Sequence, residues 1–108
     1  EEQHWMLYDV ATKKYRDLGV VLKDQPNTLI DALGRGTAIT EKYEIARYDP
    51  ATGSVTVSPL TVGSKPFAEY IGPGRVHPDW RLATDGKTAY LQLLNDLRMF
   101  RVDLSGDP

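Results

Sequence analysis

The stretch Ile45-Ala46-Arg47-Tyr48-Asp49-Pro50-Ala51-Thr52-Gly53 decides the fold, because near copies of it stand on both sides. Upstream the chain reads Met6-Leu7-Tyr8-Asp9-Val10-Ala11-Thr12, and downstream Met99-Phe100-Arg101-Val102-Asp103-Leu104-Ser105-Gly106. Each copy alternates as a half-buried strand does, runs into an Asp and gives way to a short polar turn. An Asp carboxylate accepts hydrogen bonds from backbone N–H groups one or two residues on, which closes such a turn. In the central copy Pro50 presets φ and Gly53 permits a positive one. Asp9, Asp49 and Asp103 therefore read as structural acceptors, and their recurrence within 108 residues reads as a repeat architecture.

Outward from the centre, residues 54–58 alternate with β-branched side chains and end at Pro59, a strand. Before the centre, 28–32 and 37–40 read as strands joined by a tight turn over 33–36, and 41–44 as a polar loop. Further upstream, a strand over 5–10 turns at 11–14 and returns over 15–18, where Gly19 stops it; 20–27 connects. Downstream, 61–78 is a long interruption with a Gly72-Pro73-Gly74 break. Strands over 80–84 and 88–94 then flank Asp85-Gly86-Lys87, with Asp-Gly suited to a type I′ hairpin. A loop at 95–97 leads into the third copy at 98–104. No segment reads as a helix.

Superimposing the two fuller units places Gly34 on Gly86, Arg35 on Lys87, Ile39 on Leu91 and Asp49 on Asp103. The plan is all-β: the end of one unit over 1–19, a full four-stranded antiparallel unit over 28–60, the long loop at 61–78, and most of a third unit over 79–108. That is about two and a quarter units, each near the roughly 40–50 residues of a propeller blade.

Residues 84–106 (TDGKTAYLQLLNDLRMFRVDLSG) and 43–57 (YEIARYDPATGSVTV) resemble blades of the bacterial NHL-type, YVTN-type and regucalcin/gluconolactonase-like β-propellers. The resemblance implies an incomplete β-propeller, since closure takes roughly 4–8 blades. The remaining blades, from the same parent chain or other chains, are then expected partners. The opening Glu1-Glu2-Gln3, without Met, fits a piece of something longer. The lactonase-like relatives imply a divalent metal such as Ca²⁺, for which Asp79 and Asp96 stand nearest the family's ligand positions. The family's Asn-Gly pattern is not reproduced there.

Composition excludes several classes. There is no cysteine and the net charge is −2, so thiolate chemistry and Cys-ligated metals are ruled out and a basic nucleic-acid footprint is lacking. No apolar run approaches the ~20 residues of a membrane span. No Gly-x-Ser-x-Gly or other nucleophile signature is present, and catalytic residues are not assignable.

Topology places a site nonetheless. In a four-stranded meander the first and third turns share one end of the sheet, and the remaining connections share the other. The first set is short; the second, 20–27, 41–44, 61–78 and 95–97, is long and irregular, as binding loops on a rigid scaffold are. Tyr43, Lys65, Tyr70, Arg75 and His77 are the ligand-binding candidates there, with Lys42 and Asn95 beside them, for a protein or small-molecule partner. For His77, held extended by Pro78, an ordinary polar contact is the simpler reading, and for Asp96 a turn closure. Trp80 reads as inter-blade packing. The functional expectation is a binding or scaffolding segment of a larger propeller; the alternative is part of a metal-dependent lactonase-like hydrolase or lyase.

Overall fold

Where alternation and turn chemistry agree, strands form. A computed structural model describes residues 3–23, 27–71, 78–93 and 98–104. Strands β1 (Gln3–Asp9) and β2 (Lys14–Leu22) form a hairpin. Strands β3 (Leu29–Ile30), β4 (Gly36–Ile39), β5 (Glu44–Asp49) and β6 (Ser54–Pro59) form a four-stranded antiparallel meander. A small hairpin, β7 (Thr61–Val62) with β8 (Lys65–Pro66), leads into a one-turn helix, α1 (Phe67–Ile71). Strands β9 (Pro78–Leu82), β10 (Thr88–Leu93) and β11 (Met99–Asp103) form a three-stranded antiparallel sheet with β10 central. The three repeat strands β1, β5 and β11 thus lie in three separate sheets.

Two of the Asp turns are built alike. Asp9 Oδ1 accepts the Ala11 N–H at 2.9 Å and Asp49 Oδ1 accepts the Ala51 N–H at 2.9 Å. In both, the N–H four residues on returns to the Asp carbonyl at 2.7 Å, from Lys13 and from Gly53. Both residues are left-handed, at φ 59° and 71°. Lys13 holds without glycine's freedom what Gly53 holds with it, at about 1–2 kcal/mol of backbone strain. The turn after Asp103 lies outside the described residues.

Four expectations need correction. Gly19 does not stop β2: it sits at φ 78° in a bulge, where the register steps from Met6↔Asp17 to His4↔Val21, and Asp17 Oδ1 accepts its N–H at 2.8 Å. The extra residues leave the ladder without ending it. The Asp85-Gly86 turn is not type I′, which needs positive φ at both residues. Only Gly86 has it, at 69°. The Gly86 N–H returns to the Ala83 carbonyl at 3.0 Å, so the loop spans four residues, 84–87, around an ordinary turn. A helix does form, at α1, where Phe67 buries itself and anchors a turn too short to show periodicity.

The fourth correction concerns superposition. The sheets stack face to face in chain order. Trp5 and Val20 of the first hairpin pack on Ala38 and Ala46 of the four-stranded sheet. Leu29, Ile39 and Ile45 on its opposite face pack against Trp80, Ala89, Leu91 and Val102 of the three-stranded sheet. Ala38 and Leu91 therefore look back along the stack, and Ile39 looks forward. Leu91 matches Ala38, not Ile39, because the 84–87 loop is one residue longer than its counterpart at 32–34. The pairing Asp49 with Asp103 survives, since Tyr48 and Val102 both face back. With that frame every sheet points the same way: Trp5 and Ile45 forward, Ala46, Tyr48, Phe100 and Val102 backward.

The turn end of the stack is locked tightly. The Ala32 N–H donates to the Gly86 carbonyl at 2.7 Å, joining neighbouring sheets turn to turn. A Cβ on Gly86 would stand 2.7 Å from the Ala32 Cβ, so this approach needs glycine twice over. Arg35 and Arg47 both donate to the Leu104 carbonyl, at 3.2 and 3.0 Å. The Arg35 guanidinium also pairs with buried Asp31 at 2.8 Å. Burial is the largest single influence on the Asp31 carboxyl and pushes its pKa up. The Arg35 N–H, the Arg35 side chain and the Leu33 N–H together outweigh it and hold the pKa below the usual carboxylate range.

Candidate functional site

At the opposite end the connections build a row of rings. Tyr43 closes the loop between β4 and β5: its N–H returns to the Thr40 carbonyl at 2.9 Å, and the Thr40 N–H reaches the Glu44 carbonyl at 2.9 Å. That geometry puts Tyr43 in the left-handed region, φ 60°, where a bulky side chain is a true outlier. The strain holds the ring against Phe67 of α1, centroids 5.6 Å apart. Phe67 meets Phe100 edge-on at 5.2 Å, and Phe100 meets Tyr70 edge-on at 5.8 Å. Edge-to-face pairs of this kind contribute about 0.5–1.5 kcal/mol each beyond their burial.

Cations cap both ends. Lys23 Nζ lies 5.0 Å from the Tyr43 centroid. Arg98 lies over Tyr70 at 5.4 Å and over Phe100 at 5.8 Å. The row runs from buried Phe67 to Tyr70, which remains 41 % exposed. It spans three connections: the end of β2, the β4–β5 loop, and the segment from β8 through α1, with Phe100 at the start of β11. A shallower depression of about 250 Å³ lies beside it, lined by Gly19–Val21 and 40–42.

Of the seven residues singled out from sequence, the structure brings Tyr43 and Tyr70 into this row. Lys65 is exposed on β8, in the segment leading to α1. Arg75, His77 and Asp96, with Asn95, lie outside the described residues. Asp79 stands on β9, with its carboxylate accepting Arg81 Nη1 at 2.9 Å in an exposed ion pair. Among the described residues no group of three or more metal-ligating side chains gathers. Trp80 is fully buried between sheets and donates its indole N–H to the Asn27 carbonyl at 2.7 Å, which leaves no ring face for a substrate.

Sequence reasoning missed Phe67, Phe100, Lys23 and Arg98. One signal was available: both phenylalanines of the chain sit in this row, one in the long interruption and one in a repeat strand. Chemically the row offers an aromatic edge flanked by positive charge, with Tyr and Arg, the residue types that dominate binding hot spots. Comparisons with protein-family models, curated proteins and solved structures gave no match.

Proposed function

We propose that this chain is a run of blades from a larger β-propeller. Its role is binding, through the aromatic row on its loop-rich end, to a protein or to a small ligand with an apolar planar part and negative charge. The observation that carries the reading is the division between the two ends of one stack. At one end, the carboxylates of Asp9, Asp31, Asp49 and Asp85 close tight turns, each accepting the backbone N–H two residues on at 2.8–2.9 Å. At the other, a strained Tyr43 and a half-exposed Tyr70 are held between two cations. Left-handed strain alone does not separate the ends, since Lys13 carries it in an Asp turn; the exposed aromatic edge beside Lys23 and Arg98 does. The uniform direction of the three sheets supports the radial repeat, and the remaining blades are its expected partners.

A fragment screen read by amide chemical shifts tests the proposal. Aromatic carboxylates are expected to perturb Tyr43, Phe67, Tyr70 and Phe100, and Tyr70→Ala should abolish the response while melting stays within a degree or two. Perturbations clustered instead at the Asp49 and Asp85 turns would refute the loop-end site.

A further inference from the structure

The two seams of the stack are not equally filled. At the first, the backward face of the four-stranded sheet is complete: Tyr48 and Val55 from the paired strands β5 and β6 pack against the hairpin. At the second, the backward face of the three-stranded sheet ends at β11, beyond which no strand pairs among the described residues. Where a strand corresponding to β6 would lie there is a cleft of about 670 Å³. Its floor is the forward side of the four-stranded sheet, Ile45, Arg47 and Ser58, closed at one end by Leu60 and Phe67. Its side wall is the outer edge of β11.

That edge is chemically ready. Arg98 accepts the Leu93 N–H at 3.1 Å and Leu104 donates to Lys87 at 2.8 Å, so even-numbered residues make the ladder with β10. By the alternation of an antiparallel pair, the backbone groups of Met99 and Arg101 point away from β10, into the cleft side. We infer that this cleft is a docking site for an extended peptide strand, which pairs with β11 and turns small β-branched side chains onto Ile45, Phe67 and Leu104. The first seam supplies the argument for the occupant: there the equivalent space is filled by β6, Ser54-Val55-Thr56-Val57-Ser58-Pro59, with Val55 inward. The inference rests on the repeat reading above but not on the loop-end site. The first hairpin offers no such floor: on its backward face, Met6, Tyr8 and Tyr15 are exposed and no sheet packs on them among the described residues.

The probe is a synthetic peptide of residues 49–60, DPATGSVTVSPL, titrated into the whole chain and followed by amide shifts and calorimetry. Saturable binding with shifts at Met99, Arg101, Ile45 and Ser58 is expected. N-methylation of alternate residues along the edge facing β11 should weaken it roughly tenfold, and the same modification on the opposite edge should not. Arg101→Pro, which removes an N–H that the β10 ladder does not use, should keep the fold and lose the peptide. Should that variant unfold, the N-methyl pair still decides. Equal affinity of the two methylated peptides, shifts confined to Tyr8 and Tyr15, or a self-dimer that the peptide fails to dissociate would each overturn the inference. Neither arm touches Tyr43 or Tyr70, so its failure and that of the loop-end site are separable.

Discussion

The two seams solve one packing problem differently. At the first, one large ring lies on a smooth surface, Trp5 standing 3.5 Å from where a Gly36 Cβ would be, over Ala38 and Ala46. Backbone bonds from Lys23 to Ile39 and from Glu41 to Val21, both 3.0 Å, pin the far end of the hairpin. At the second, large side chains come from both sheets, with Trp80, Leu91 and Val102 meeting Leu29, Ile39 and Ile45. Interdigitation from both sides locks the centre of the second seam, beside the cleft at β11, whereas a ring on a flat bed can be lost with its own hairpin. The difference teaches that the second seam carries the cohesion and the first carries an appendage.

The largest effect follows directly. Trp80→Ala should cost about 3–5 kcal/mol and lower protection throughout the chain in hydrogen exchange. Trp5→Ala should fall near 3 kcal/mol, with protection lost over 3–22 and kept in β4 and β5. Equal and global losses from both would erase the contrast. Next comes the turn-to-turn contact beneath the second seam. Gly86→Ala meets Ala32 and a left-handed backbone, and should cost about 2–4 kcal/mol in denaturant unfolding. Gly34→Ala, at φ 79° with nothing within 4 Å, should cost about 1–2 kcal/mol, from backbone strain alone. The smallest effect sharpens the electrostatic part of the same lock. Because the folded pKa of Asp31 is depressed, its contribution is present above the unfolded value near ~3.9 and is lost as pH falls through the lower folded value. Stability measured from pH 6 to 2 should therefore decline more steeply below about 4 than in Asp31→Asn, whose curve lacks that component.

Much of this was legible in the chain. Alternation and Asp-closed turns located the strands around Asp9 and Asp49 because both signals are local. What escaped was set by distance or by single residues. The bulge at Gly19 needs a partner strand to be visible. The 84–87 loop looked like a two-residue hairpin because Asp-Gly serves both, and only the bond from Gly86 to Ala83 separates them. That one-residue error moved Ile39 onto Leu91 and hid which way each sheet faces. Of the candidate site, Tyr43 and Tyr70 were reachable from loop position. The row that gives them meaning joins residues 23, 43, 67, 70, 98 and 100, and no sequence window contains it.

The longer loop at 84–87 has a consequence for how such a chain can be edited. Strand β10 is entered one residue late relative to β4, and the register of β11 is recovered by a second added residue in the connection after β10. A three-residue loop at 32–34 and a four-residue loop at 84–87 close equivalent hairpins, so a residue gained or lost at this tip changes the turn and leaves Leu91 opposite Trp80 on the buried face. Length is free at the corners of this molecule and fixed only along its ladders.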